Sequence, residues 1–447
     1  MIKLPDEFLL RMKDVLGDDL PAFLEGLSEK APVSLRLNPF KLMHQFDSAA
    51  RVPWSSNGFY LDSRPAFTFD PLFQSGCYYV QEASSMYLEK IIRQIEFSTG
   101  NIRALDLCAA PGGKSTHLLS LLPAGSIVVC NEVIPSRNKI LEHNLLKWGT
   151  PCILTQNKPA DFARLENYFD LVLVDAPCSG EGLFRRDEEA IGEWSKQNVE
   201  HCVVRQEEIL NDAIRCLKPG GFLIYSTCTF EKSENEEQVL KFSAVNDLEI
   251  ISLESTDSGI VSSSAGLRFY SHRIKGEGLF YSLLRKKTDS ESATEKNRKA
   301  DRSHSKRDQE ILTKYLVQPE KFVPHLEDER LFAVPEFMWE TFQFLRTKMY
   351  LRNGGIFLGT WKQSDFLPSQ DLAMSVHIRP DLPGKELDKT EAVRFLRCES
   401  IDSTGLVSGW NLVRFSGFNL GWIKALQNRS NNYFPKEWRI VSEKENS

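Results

Sequence analysis

No apolar run of about 18 residues occurs in the 447-residue chain, so a membrane-spanning helix is not expected. The opening Met1-Ile2-Lys3-Leu4-Pro5-Asp6 lacks the apolar core of a secretory signal. Cysteine is sparse and odd in number: nine residues show neither paired spacing nor a zinc-ligand pattern. That excludes a disulfide scaffold and leads to the expectation of reduced thiols, a cytoplasmic setting and no bound metal. A positive excess is missing as well. The 55 basic residues face 61 acidic ones, for a formal charge of −6. Such a balance argues against nonspecific coating of nucleic acid while leaving room for local basic patches. Hydrophobic content of 41% and charged content of 26% are those of an ordinary globular chain, long enough for two or three domains.

Two phosphate-binding signatures are also absent. No Gly-x-Gly-x-x-Gly occurs, and although Gly113-Lys114-Ser115 fits the end of a P-loop, Leu107 and Cys108 stand where its first glycine belongs. A different ligand turn is present. In Ala104-Leu105-Asp106-Leu107-Cys108-Ala109-Ala110-Pro111-Gly112-Gly113-Lys114-Ser115-Thr116, an apolar strand ends in an acid. Adjacent glycines follow, then Ser115 and Thr116 as expected caps of a helix over 115–122. Strand, glycine turn and helix build a ligand crevice at the carboxyl edge of a parallel sheet. Fewer phosphates, a sugar and a base suit this turn better than a dinucleotide. Glu132 closes the next apolar run, Ile127 to Cys130, about 20 residues on, where a carboxylate takes both hydroxyls of a ribose. A solvated strand end would use the same residue.

Two more apolar runs lead into cysteines. Leu171-Val172-Leu173-Val174 precedes Asp175-Ala176-Pro177-Cys178-Ser179-Gly180, and Gly221-Phe222-Leu223-Ile224-Tyr225 precedes Ser226-Thr227-Cys228-Thr229. With strands at 102–107, 126–131, 151–155, 170–174 and 221–226 and helices at 115–122, 135–147 and 197–217, the pattern predicts a doubly wound, Rossmann-like α/β sheet. A closing antiparallel hairpin is expected near 267–271 and 278–285.

These three motifs, in this order, resemble the NOP/Sun family of RNA cytosine-5 methyltransferases, and within it the bacterial RsmF branch. The resemblance implies a class I methyltransferase core at 101–287, S-adenosylmethionine as cofactor and RNA as partner. Ribosomal RNA or the small subunit is expected, with transfer RNA the alternative. It implies a small α+β RNA-contacting lobe at 1–100 and a PUA-like RNA-binding module at 311–447, in a monomeric protein. It assigns nucleophilic attack to Cys228, product release to Cys178 and the adenine amine to Asp161. The residues alone do not choose between the two cysteines. The turn Cys108, Ala109, Ala110, Pro111, Gly112, Gly113 and Lys114 is expected to wrap the cofactor, with Glu132 on its ribose. Asp175 is placed to meet the base or the cofactor's amino group. Lys114 is placed to bond the cytosine or support a thiolate, unless it is an ordinary ion-paired helix lysine. A catalytically idle RNA-binding assembly factor and a P-loop phosphotransferase are the rival classes.

Carbon 5 of cytosine is too weak a nucleophile to take a methyl group unaided. Thiolate addition at carbon 6 converts the ring to an enamine, which explains why a reactive cysteine and a base drawn from its stack are required. Elsewhere, Arg36 and Asn38 are the polar residues to watch in the first lobe. Arg185 and Arg186 are expected near RNA phosphate, and His272, followed by Arg273 where the family often has proline, reads as a core or surface histidine with no assigned role. Ser84 or Ser85 is expected to cap a helix through Ile92. Residues 288–310 hold 12 charged residues of 23 and no aliphatic larger than alanine, the composition of a linker. Between 411 and 440, five basic residues and one acid interleave with Phe415, Phe418, Trp422, Tyr433, Phe434 and Trp438, a pattern suited to stacking on RNA.

Overall fold

The computed structural model describes residues 3–98, 100–255, 257–287, 305–427 and 429–442. Its centre is a parallel run of five strands: β4 (Arg103–Asp106), β5 (Ile127–Asn131), β6 (Cys152–Thr155), β7 (Phe169–Asp175) and β8 (Leu217–Thr227). They lie in the order β8-β7-β4-β5-β6, so the strand order reverses at β4, between β5 and β7. Side chains alternate between two buried faces. Leu105, Val172 and Val174 join one core cluster, while Ala104, Leu171 and Leu173 join the other. Both faces being covered explains why these strands read as continuous apolar runs. Strands β9 (Leu248–Ile251), β10 (Val261–Ser263), β11 (Gly266–Phe269) and β12 (Leu279–Lys286) close one side antiparallel.

The other side departs from the expected division at 311. Strands β13 (Phe322–Glu327), β14 (Arg330–Pro335) and β15 (Leu351–Lys362) form a meander whose last strand pairs antiparallel with β6. The carboxyl-terminal part thus begins inside the main sheet, where it covers a row of backbone groups that β6 would otherwise expose. Strand β16 (Asp365–Pro368) pairs with β15. Strands β17 (Gly384–Glu386), β18 (Gly409–Phe415), β19 (Phe418–Ala425) and β20 (Ser430–Asn432) make a separate four-stranded sheet. Most of the expected linker lies outside the described residues. Its end, however, is helical: Ser305 accepts from the Asp308 amide and caps Lys306–Tyr315.

Helices Asp6–Leu16 and Leu20–Ser28 and the antiparallel sheet β1 (Val33–Leu37), β2 (Gly58–Leu61) and β3 (Tyr78–Val80) form the first lobe. Here Arg36 and Asn38 are internal ties and do not face solvent. The Arg36 guanidinium donates to Gln81 Oε1 at 2.7 Å, Thr116 Oγ1 at 2.7 Å and Gly113 O at 3.2 Å, and lies 4.5 Å over the Trp148 ring. Asn38 donates to the carbonyls of Gly76 and Trp148. The serine expected to cap the helix near 88 does not. Glu82 takes the amides of Ser84 and Ser85 instead, and the helix runs Leu88–Gln94 after a short 3-10 turn. The aromatic residues of 411–440 are largely structural: Trp422 and Phe434 are buried, Phe415 and Phe418 pack on the first lobe, and Trp438 stacks on His143. Of the six, Tyr433 is the exposed one, at 39%.

Burial lowers the Arg36 pKa to about 9, so the residue is charged at neutral pH and held by neutral acceptors. Replacing it by alanine strands Gln81, Thr116 and the Gly113 carbonyl. Arg36→Ala is therefore expected to lose about 2–4 kcal/mol of stability, read as a lower thermal midpoint and reduced amide-exchange protection in helix Gly113–Leu121. An unchanged midpoint with unchanged protection contradicts this role.

Candidate active site

The carboxyl ends of β4, β5, β7 and β8 open onto one cavity of about 960 Å³. This is the topological switch point, where open sheets bind ligands. After β4 the chain turns at Gly112, whose φ of 106° is the left-handed conformation that glycine accepts without strain. Gly112 itself is the N-cap of helix Gly113–Leu121, so Ser115 and Thr116 are not the caps the sequence leads one to expect. Ser115 donates to Asp106 Oδ2 at 2.6 Å, and Thr116 bonds back to the Gly112 carbonyl. Asn131 at the end of β5 ties the turn down. Its side chain donates to Leu107 O, and its carbonyl receives the Ala109 amide.

The expected turn residues are all at or beside the wall: Cys108, Ala109, Ala110, Pro111, Gly113 and Lys114 line the cavity, and Gly112 shapes it from behind. Glu132 lines it too, its Oε1 accepting the Ile134 amide and its Oε2 lying 3.3 Å from Arg137. Asp106 presents a buried, unpartnered Oδ1, and burial lifts its pKa to about 7. Val133 and Ile134, both partly exposed apolar residues, extend the wall beyond Glu132. This donor set fits S-adenosylmethionine: acids for its cationic amine and sulfonium, a carboxylate for its ribose, and apolar walls for its adenine. Asp161 is not on the wall. Its carboxylate accepts the Lys158 amide in a capping box and lies 3.7 Å from Arg164. From the helix Lys196–Cys216, Glu208 and Asp212 line the cavity instead. They are separated by one helical turn, and only the fold reveals that this face borders the cavity.

The two motif cysteines meet. Cys178 Sγ lies 3.3 Å from Cys228 Sγ, and the Cys228 amide also donates to Cys178 Sγ at 3.3 Å. The hydrogen bond from Cys178 lowers the Cys228 pKa, and the Lys114 and Arg186 charges act in the same direction. The same hydrogen bond raises Cys178, with burial and the Glu234 carboxyl adding to it. Burial and the Asp175 carboxylate oppose the lowering at Cys228, so the pair favours the thiolate at Cys228 over one at Cys178. Cys108, by contrast, is pushed far up by burial and by three surrounding carboxylates, and is inert as a nucleophile.

Lys114 Nζ sits 2.8 Å from Asp175 Oδ1, and Ser226 donates to the same oxygen at 2.7 Å. The ion pair holds Lys114 protonated and fixed in place at the cavity. Beneath the cysteines, Glu234 accepts from the Ser179 amide, the Ser179 hydroxyl and Gln206. Glu181 takes Arg11 at 2.6 Å, Trp194 at 2.7 Å and the Phe230 amide at 3.0 Å, while Arg11 also pairs with Glu231. One arginine of the first helix thereby joins both cysteine loops. Gly182 completes the lock: its amide donates to Cys228 O at 2.8 Å, and a Cβ there would collide with the carbonyls of Gly278 and Cys228. Neither Glu181 nor Glu234 stood out in the sequence, where each reads as a polar loop residue beside a motif. The adjacent arginines diverge. Arg185 is buried against Glu29 and backbone carbonyls of the first lobe, and Arg186 is exposed at the cavity. His272 packs edge-on against Phe23, a packing histidine.

The chain is similar to known methyltransferases. Residues 4–83 match the family described as the N-terminal domain of 16S rRNA methyltransferase RsmF, 97–285 that of 16S rRNA methyltransferase RsmB/F, and 385–440 the methyltransferase RsmF PUA domain. Among curated proteins, the ribosomal RNA small subunit methyltransferase F of Shewanella piezotolerans is 29% identical over 94% of this chain and 95% of its own. That of Vibrio parahaemolyticus is 28% identical over 98% of both. A solved methyltransferase homolog from Pyrococcus horikoshii is 28% identical with a TM-score of 0.54, covering 64% of this chain and 96% of its own.

The charge arrangement predicts which thiol reacts first. With iodoacetamide, Cys228 is expected to alkylate with an apparent pKa below the usual thiol value, and Cys178→Ala is expected to raise it. Peptide mass mapping against pH reads both; preferential labelling of Cys178 contradicts the assignment.

Proposed function

The chain belongs to the RsmB/F family of 16S ribosomal RNA methyltransferases, and from that premise we propose that it methylates carbon 5 of a cytosine in small-subunit ribosomal RNA through a covalent Cys228 adduct. The observation carrying this reading is the cysteine pair, two sulfurs 3.3 Å apart on the wall of a cavity suited to the cofactor, with the Cys228 pKa lowered and the Cys178 pKa raised by their contact.

The Cys228 thiolate adds to carbon 6 of an extruded cytosine, forming the sulfur–carbon bond and shifting the ring electrons so that carbon 5 becomes nucleophilic. Lys114, held by Asp175, is in this reading the cation that balances negative charge growing on the ring oxygen at position 2. When bound, S-adenosylmethionine supplies a methyl group made electrophilic by its sulfonium. After carbon 5 is methylated, its proton passes to solvent. The released electron pair restores the carbon 5–carbon 6 double bond, and the carbon–sulfur bond breaks. The departing Cys228 sulfur regains the hydrogen bond from the Cys178 S–H, which makes it a better leaving group. The acids at the cofactor end and the cations near Cys228 divide the labour of the cavity. The PUA-like sheet and the first lobe supply RNA affinity in this reading, and the protein acts as a monomer. A transfer RNA target is compatible with the same chemistry.

Incubation with S-adenosylmethionine and small-subunit RNA, naked or assembled, followed by nucleoside analysis, tests the reading. Wild type is expected to produce 5-methylcytidine, and Cys228→Ala to reduce the rate by about 10⁴-fold or more. A different methylated nucleoside, or turnover retained in Cys228→Ala, contradicts it. RNA binding with no methyl transfer at all points to an idle binding factor.

A further inference from the structure

Glu277 stands in the short turn ahead of β12 and lines the cavity together with Cys178, Cys228 and Arg186. It is only 4% exposed, and neither carboxyl oxygen has a hydrogen-bond partner. Among the described residues it is the one acid with both oxygens buried and unsatisfied in this way. Buried polar groups are ordinarily paired, so an orphaned carboxyl on the wall of a ligand cavity marks a place where the ligand brings the partner. The backbone that carries it is pinned. Its amide donates to Glu82 Oε1 at 2.8 Å, and its carbonyl accepts from Ser84 Oγ at 2.8 Å. The flanking Gly278 is wedged between the Phe230 ring and Gly182, leaving no room for a Cβ. The carboxyl is therefore presented from a fixed base beside the reacting sulfurs.

We propose that Glu277 is a substrate-binding residue whose neutral carboxyl pairs with the Watson–Crick edge of the target cytosine. This rests on the proposed reaction and adds to it the group that reads the base. The chemistry is complementary: a protonated carboxyl sets one O–H donor beside one C=O acceptor, and cytosine sets the N3 acceptor beside the N4 amine donor. A hydrogen bond donated to N3 also withdraws electron density from the ring and eases thiolate addition at carbon 6. The charges facing Glu277 agree with a neutral state. Burial pushes its pKa up to about 7, and the Glu82 carboxylate adds to this, while Arg185 and Arg186 oppose it. Arg185 is largely committed to Glu29 and carbonyls of the first lobe. Across the cavity, Lys114 and Asp175 are paired with each other.

The sign follows directly: the acid is neutral below about pH 7 and ionised above, so a reaction that needs its proton slows as pH rises through that value. The test uses the full-length protein on the RNA that yields 5-methylcytidine, comparing wild type, Glu277→Gln and Glu277→Ala in kcat/KM between pH 5.5 and 9. Glutamine keeps one donor beside one acceptor and does not titrate. Glu277→Gln is expected to stay within about tenfold of wild type and to lose the decline above neutral pH, and Glu277→Ala to fall by about 10²-fold or more. Both variants are expected to keep S-adenosylmethionine affinity by calorimetry, which reports that the cavity is folded. Wild-type rates in Glu277→Ala, a wild-type decline retained in Glu277→Gln, or equal failure of both variants with cofactor affinity intact would each overturn the proposal. Absence of 5-methylcytidine from wild type itself overturns the reaction assignment and this proposal together, and so is told apart from the other results.

Discussion

Two sulfur atoms 3.3 Å apart, within hydrogen-bond distance of each other, are the contact on which the rest of the site depends. Neither thiol alone would be remarkable in its chemistry, since burial raises a lone thiol and suppresses its thiolate. Held as a pair, their mutual hydrogen bond lowers the Cys228 pKa and raises that of Cys178. The Lys114 and Arg186 charges add to the first effect against burial and Asp175, and burial and the Glu234 carboxyl add to the second. The arrangement works only if two loops from different strands stay in register to within a fraction of an ångström. That explains the density of bonding beneath them: Glu234 under Cys178, the Gly182 amide on the Cys228 carbonyl, and Glu181 reaching the Phe230 amide. The first lobe takes part in this. Arg11 bridges Glu181 and Glu231, one on each loop, and Arg36 fastens the lobe to the helix that follows the cofactor turn. The lobe is thus a clamp on the catalytic edge.

The sheet supplies the other constraint. Because the strand order reverses at β4, the loops after β4 and β5 lean one way and those after β7 and β8 the other. The cavity between them is lined by acids, among them Asp106 and Glu132, and by the two sulfurs with Lys114 and Arg186. The meander joined to β6 lies on the far edge of the same sheet and ties the carboxyl-terminal part to the core without entering the cavity.

What the sequence makes legible is whatever is local. The parallel strands announce themselves because both of their faces are buried, as Leu171 to Val174 illustrate, and the glycine turn because Gly112 needs a positive φ. Tertiary partnerships are not written locally. Ser115 looks like a cap but is drawn to Asp106, and Asp161, to which the resemblance assigns the adenine amine, closes its own helix turn. Arg36 reads as a polar residue of the first lobe, yet Gln81 and two acceptors of helix Gly113–Leu121 surround it. The aromatic and basic tail looks like a stacking platform, but Phe434 serves the core of its own sheet and Trp422 packs that sheet against helix Lys306–Tyr315 and the meander. Glu277 is silent in the sequence because its meaning lies in what it lacks, a partner, and that is visible only once its surroundings are assembled.

The most direct test of the central claim, unequal roles for two touching thiols, is denaturing electrophoresis of Cys178→Ala after incubation with RNA and S-adenosylmethionine. The account predicts a protein–RNA adduct that survives denaturation, maps to Cys228 and carries a 5-methylated ring, because attack and methyl transfer proceed while release is slowed. The absence of any adduct in Cys178→Ala, together with a stable adduct in Cys228→Ala that maps to Cys178, would reverse the assignment and contradict the account.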